Sequence, residues 1–186
     1  MPNKTKALHG SKKEQKMKNK KVIRLAQGAM IAAVYAAATY LSSVFALAYG
    51  PVQFRISEAL TVFAVLSPAA IPGLTVGCII GNLASPFGIW DIVFGTLATL
   101  LASICARRLR NFTFKGLPLL SIIMPVIFNA VIVGAELTLL LPTDKAKLAT
   151  FVIYALEVGA GELAVCLAGG IPLYFAVKKS KVFRIG

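Results

Sequence analysis

The sequence predicts an all-α membrane protein, a bundle of six transmembrane helices, and three observations carry that prediction. Hydrophobic residues make up 58% of the 186-residue chain and mean hydropathy is +0.78, where a soluble domain averages roughly 45–50% apolar. The apolar residues fall into consecutive runs divided by short polar or Gly/Pro-rich turns, and about 20 such residues cross a bilayer. Basic residues gather at the two chain ends and between Arg107 and Lys115, as the positive-inside rule requires of short cytoplasmic segments. Six tightly connected spans leave no room for a soluble domain beside them.

Residues 1–21 are polar and lysine-rich and are expected to form a basic, disordered cytoplasmic tail in which His9 is inert. Met17 is a plausible alternative start, because Met17-Lys18-Asn19-Lys20-Lys21 leads directly into the first span. The apolar run that follows is too long for a signal peptide. The first span is expected over Val22 to Tyr49. Its first half carries two rows of small residues at a spacing of four, Gly28, Ala32, Ala36 and Ala29, Ala33, Ala37, and such rows let a second helix approach closely. Each row either packs inside the bundle or faces another subunit.

Gly50-Pro51 then opens an ordered external loop, Val52 to Glu58, with Ser57 placed to cap the next helix. The second span, from Glu58 to about Leu66, is short, and a Ser67-Pro68, Ile71-Pro72-Gly73 turn is expected behind it. The third, from about Leu74 to Leu83, is short as well. Interrupted segments of this kind are tolerated at membrane depth where they line a cavity. Full-length spans follow at Ile89 to Ala106, Leu117 to Leu141 and Leu148 to Val177, with kinks expected at Pro125 and Pro172. Residues 22–177 thus form the membrane domain and 178–186 a second basic tail.

With the lysine-rich amino terminus inside, six spans place Arg107-Arg108-Leu109-Arg110 and Lys178-Lys179-Ser180-Lys181 inside too. The expected protein is multi-pass in a bacterial cytoplasmic membrane with both termini cytoplasmic. The loops after spans one, three and five are then external, the last of them being 142–147.

Five of the seven acidic residues, Glu58, Asp91, Glu136, Glu157 and Glu162, lie in or beside these apolar runs, and the topology puts all five in the outer half of the membrane. A carboxylate there costs roughly 2.5 kcal/mol or more on insertion scales, so such groups face a bundle interior or a water-filled path. Glu58, Asn82, Trp90, Asp91, Asn129, Glu136 and Glu162 are the candidate substrate-binding residues, with Gln53 and Arg55 as lid residues on the first external loop. Residues five apart point about 140° from each other on a helix, so Glu157 and Glu162 cannot both face one ligand. The competing reading for each acid is a structural pair or a helix cap, with Arg55 as the nearby cation. Trp90 and Tyr40 serve equally well as interfacial anchors.

The net charge of +13 is a topology signal first and an anionic-lipid contact second; no nucleic-acid partner is expected. Cys78, Cys105 and Cys166 lack metal-ligand spacing and read as small core residues. The chain has no Gly-x-x-x-x-Gly-Lys-[Ser/Thr] phosphate loop, so it is not its own ATP motor. With no histidine in any span and no hydrolase signature, neither an enzyme nor a cofactor is expected, and transport or binding is favoured.

Several segments resemble the QueT family: Tyr49 to Leu60 (YGPVQFRISEAL), Gly81-Asn82-Leu83, Trp90 to Leu100 (WDIVFGTLATL), Pro125 to Ala130 (PVIFNA) and Gly161-Glu162-Leu163. The resemblance runs from about Val22 to Val177. It implies the six-helix fold of a substrate-binding S component of an energy-coupling factor (ECF) transporter for queuosine precursors. It further implies a pocket under the first external loop, and as partners a transmembrane coupling subunit and two ATPase subunits that use the ATP. The Ala29, Ala33, Ala37 row would meet the coupling subunit, and import would proceed by toppling of the S component in the membrane.

The implied ligand is a 7-deazaguanine such as preQ1. Its guanine-like edge offers two parallel donors that suit one carboxylate, Glu162 for example, and its aminomethyl cation suits a second, Asp91 for example. Asn82, Asn129 and Gln53 would complete the polar contacts, and Trp90 or Phe54 would cover the ring. The alternatives are an S component for another vitamin or base, a self-sufficient cation-coupled carrier and, least favoured, a membrane-embedded enzyme.

Overall fold

The computed structural model describes residues 4–142 and 146–180. The centre of the connection at 142–147 and the basic tail beyond Ser180 lie outside the described residues. Among those described there are only helices and turns: α1 (Lys4–Val44), a 3-10 helix (Ile56–Val62) running into α2 (Phe63–Leu66), α3 (Ala70–Asn82), α4 (Ile89–Arg108), α5 (Leu119–Leu140), α6 (Lys147–Val165) and α7 (Ile171–Lys179). A π-helical turn, Cys166–Gly170, joins α6 and α7 into one rod. Four rods are long and apolar enough to cross a membrane: Met17–Val44, α4, α5 and Lys147–Lys179. The remaining apolar helices, Ile56–Leu66 and α3, are shorter.

The four long rods match the expected spans to within a few residues, and the differences have physical causes. Helix α1 extends back to Lys4, through the stretch expected to be disordered; Lys, Glu, Gln and Met are good helix formers. Its other end comes at Val44 rather than Tyr49, because the chain turns over at Ala46, whose φ is +56°. Helix α3 starts at Ala70 and absorbs the expected Ile71-Pro72-Gly73 turn, since proline in a first helical turn forfeits no intrahelical hydrogen bond. Pro125 stays inside α5. At Pro172 the missing N–H follows the wide π turn, a device that relieves the ladder where an α-helical bond is lost.

Packing runs α1 on α3, α3 on α4, α4 on α5 and α5 on α6, and the Ile56–Val62 helix touches α1, α3, α4, α5, α6 and α7. That helix is therefore the centre of the bundle, and Ser57 through Val62 are all buried. The α1/α3 crossing is set by glycine. A methyl built on Gly77 would sit 2.8 Å from the Ala32 carbonyl oxygen, and one on Gly81 2.9 Å from Thr39 Cβ. Gly73, Gly77 and Gly81 thus form a small-residue row that receives the face of α1 bearing Gly28, Ala32, Tyr35 and Thr39. The other alanine row of α1, Ala29, Ala33 and Ala37, is exposed.

The two ends of the bundle differ in charge. At one end, the last turns of α4 and α7 carry Arg107, Arg108, Lys178 and Lys179, favourable at helix carboxyl termini. There Arg107 Nη1 donates to the Val65 carbonyl (2.9 Å), covering a terminal acceptor of α2. At the other end, the 45–55 loop folds over the acids.

Candidate functional site

Loop 45–55 is held down by hydrogen bonds along its length. Phe54 N–H donates to the Leu47 carbonyl (2.8 Å) and Ile56 N–H to Ser42 Oγ (3.1 Å). Tyr49 Oη donates to the Gly81 carbonyl (2.6 Å), and Gln53 Nε2 to the Gly50 carbonyl (2.9 Å). Gly50, with φ +104°, makes the left-handed bend that an L side chain resists. Gln53 and Arg55 are consequently buried.

Arg55 does not pair with an acid. Its Nη2 donates to Asn82 Oδ1 (2.7 Å), and its guanidinium lies 5.9 Å from the Tyr49 ring centroid. Asn82 Nδ2 in turn donates to the Asp91 carbonyl (2.7 Å). One chain of contacts therefore ties the loop to the end of α3 and the start of α4. Gly95, one turn along α4 from Asp91, leaves room for it, since a methyl there would fall 2.7 Å from Asn82 Nδ2.

Of the four buried acids among the described residues, two are partnered. Glu58 accepts from Tyr35 Oη, from Thr61 Oγ1 (3.2 Å) and from Thr99 Oγ1 (3.4 Å). Asp91 accepts from Ser85 Oγ and lies in the first turn of α4, where a helix favours negative charge. Ser57 does not cap the helix that follows the loop; its Oγ accepts from Thr39 Oγ1 (2.8 Å) instead.

Glu136 and Glu162 are different. Both are 0% exposed, and no oxygen of either receives a hydrogen bond from a protein donor. Asn129 is likewise buried with both amide atoms unpartnered, as are Gln53 Oε1 and Arg55 Nε. Asn129 neighbours Glu162, and Asp91 neighbours Glu136, while the Arg55 charge acts on both glutamates. A buried polar group without a partner costs on the order of 1–3 kcal/mol, more if charged, and several such groups gather here.

The sequence-predicted residues thus divide. Gln53, Arg55, Glu58, Asn82, Asp91, Asn129, Glu136 and Glu162 are all buried, between the loop-covered end and the middle of the bundle. Trp90 does not: it is 51% exposed and stacks on Phe94 at 6.1 Å, on the outward face of α4 next to the buried Asp91. Phe54 also points outward, so neither expected aromatic covers the cluster. Glu157 is only partly buried where Glu162 is fully so, in line with their angular separation. Tyr35 and Thr99, which hold Glu58, were not singled out from sequence. Tyr35 had one signal, its place in the stripe Gly28, Ala32, Tyr35, Thr39 on a single face of α1. Among the described residues no group of His, Cys, Asp or Glu is arranged to hold a metal ion.

Comparison with known proteins adds family membership to this geometry. The sequence model of the family described as QueT transporter matches residues 25–179. The Queuosine precursor transporter QueT of Lactococcus lactis subsp. cremoris (strain MG1363) is 38% identical over 85 residues, which cover 46% of this chain and 50% of that protein. The chain spans about half the length of this curated relative in that match. No solved structure matches.

Proposed function

This chain belongs to the QueT transporter family, a transporter and not an enzyme, and on that premise we propose that it is the substrate-binding S component of an ATP-driven ECF importer for a queuosine precursor. The observation that carries the reading is the set of buried, unpartnered groups beneath loop 45–55: Glu162, Asn129, Glu136, Gln53 Oε1 and Arg55 Nε. Their inventory complements a deazaguanine. Glu162 offers two acceptors to the paired N–H donors of the guanine edge, and Asn129 beside it can donate to the ring carbonyl. Among the described residues the buried acids outnumber the one buried cation, Arg55, which suits a ligand that brings positive charge, such as preQ1.

The chain lacks a phosphate loop, so ATP-driven import needs partner ATPases. The exposed Ala29, Ala33, Ala37 row offers a flat helix face to a transmembrane coupling subunit, which would carry two ATPases. By the positive-inside rule the basic end faces the cytoplasm and the loop-covered end faces outward. Six membrane-crossing helices follow if Ile56–Leu66 and α3 cross in the interior of the bundle, where neighbours shield their short, irregular ends.

Two measurements on the purified protein test this. Equilibrium binding of preQ1, preQ0, queuine, guanine and thiamine in detergent should give tight binding of a deazaguanine. Proteoliposomes containing the chain alone should bind but not accumulate it. Accumulation driven by a cation gradient, without partners, would overturn the S-component reading in favour of a self-sufficient carrier.

A further inference from the structure

Helices α1 and α3 come very close where Gly28 meets Gly73: a methyl on Gly73 would fall 2.5 Å from the Gly28 carbonyl oxygen. Two facing positions without side chains leave a depression beside the crossing. It is a groove of about 270 Å³, lined by Gly28 and Gly73 together with Leu25, Ala32 and Val76, and it reaches Arg24. Leu25 and Val76 are exposed, so the groove opens on the outer surface of the bundle, toward the bilayer.

Arg24 and Ala32 are eight residues apart, so the groove runs about 12 Å along α1. Its volume spread over that length gives a cross-section on the order of 20 Å². A helix with its side chains is about 10–12 Å across and needs several times that area. A polymethylene chain fits where a helix does not.

The mouth of the groove is basic. Lys20 and Lys21 precede Arg24 by four and three residues, which puts them one turn away on the same side of α1, and all three are exposed. No acid occurs between Met17 and Ser57. Gly73 belongs to the first turn of α3, the positive end of that helix's dipole, which also carries no acid. This is the basic end of the bundle, placed by the positive-inside rule at the cytoplasmic leaflet, whose surface is negative because of its anionic lipids.

We propose that the α1/α3 groove is a binding site for one anionic phospholipid. The lipid phosphate meets Arg24 and the lysines one turn before it, and one acyl chain lies along the glycine seam as far as Ala32. The site is at the opposite end of the bundle from loop 45–55, so it stands independently of the queuosine-precursor reading.

The full chain, purified in mild detergent, is titrated with phosphatidylglycerol and with phosphatidylcholine of the same acyl chains, and bound lipid is counted by native mass spectrometry. A cation near the membrane surface contributes about fivefold to anionic-lipid binding, so three should favour phosphatidylglycerol by at least about tenfold. Arg24→Gln should lower phosphatidylglycerol binding about fivefold. Val76→Phe, which fills the groove and leaves the charges, should lower it as well. Lys178→Gln combined with Lys179→Gln, at another basic helix end, should leave it unchanged. Equal binding of the two lipids would overturn the proposal, as would binding unchanged in folded Arg24→Gln or folded Val76→Phe. Displacement of the lipid by an equal concentration of inorganic phosphate at matched ionic strength would also overturn it, reducing the site to a phosphate contact. If Val76→Phe keeps the lipid but stops co-purification with the coupling subunit, the groove seats a protein partner instead. Arg24 and Val76 are exposed, so both variants are expected to fold, and thermal unfolding in detergent checks that they do.

Discussion

Gly161 of α6 lies directly against the backbone of Gln53, so close that a methyl on Gly161 would overlap the Gln53 carbonyl group. The loop over the acids is thus seated in a notch that only glycine provides, one residue before the unpartnered Glu162. Gly161→Ala must lift the loop or shift α6, because the obstacle is backbone and cannot rotate away. The expected outcome is a loss of about 1–3 kcal/mol in stability, typical of overpacking, and a larger proportional loss of ligand affinity than any substitution on the exposed face of α6. Thermal unfolding in detergent beside ligand titration checks both.

Tyr35 fixes the Glu58 carboxylate in the middle of the bundle. Tyr35→Phe keeps the ring and removes one donor, leaving Glu58 with Thr61 and Thr99 at 3.2 and 3.4 Å. Hydrogen bonds to charged groups contribute roughly 1.5–3 kcal/mol, and a loss in that range is expected in unfolding free energy. Glu58→Gln combined with Tyr35→Phe should cost less than the sum of the single changes, because both remove the same bond. A double-mutant cycle measured by denaturation reports it.

Asn82 accepts from Arg55 and donates to the Asp91 carbonyl, so it is the link between the loop and α4. Asn82→Ala strands a buried guanidinium, a loss of several kcal/mol on the scale of breaking buried charged contacts. Arg55→Lys is not a conservative change here: an ammonium cannot both present a planar fork to Asn82 and lie over the Tyr49 ring. Each variant should lower ligand affinity at least about tenfold, whereas Trp90→Ala, outside the cluster, should change it by less than about twofold. Titration of the three proteins with preQ1 separates these outcomes.

The four long rods, the loop and the convergence of buried acids were legible in the sequence because they follow from hydropathy, charge and turn residues. Which acid has a partner was not. Glu58 and Glu162 look alike in sequence, yet one meets Tyr35 and the other meets no donor. That difference comes from the α1/α3 crossing and the position of the central 3-10 helix. In a membrane bundle both helix faces are apolar, so composition says little about which face turns inward. Trp90 shows the consequence: adjacent to Asp91 in sequence, it is one position round the helix and faces out. The glycine row of α3 was readable in principle, since Gly73, Gly77 and Gly81 keep the spacing of four that marks the complementary row on α1.

That complementarity also separates the two alanine rows of α1. Gly28 and Ala32 are used up against α3, leaving Ala29, Ala33 and Ala37 as an exposed strip about 100° round the helix. If that strip meets a coupling subunit, enlarging it should block close helix approach without touching the ligand site. Ala33→Leu is expected to leave detergent stability and preQ1 affinity within about twofold of wild type, because surface changes of this kind usually stay within ~0.5 kcal/mol. The same variant should fail to co-purify with the coupling subunit and ATPases and should abolish ATP-dependent uptake in cells. Ala32→Leu, by contrast, should damage the fold itself, since Gly77 lies against the backbone at that position. Co-purification that survives Ala33→Leu and also Ala37→Leu would place the partner on another face.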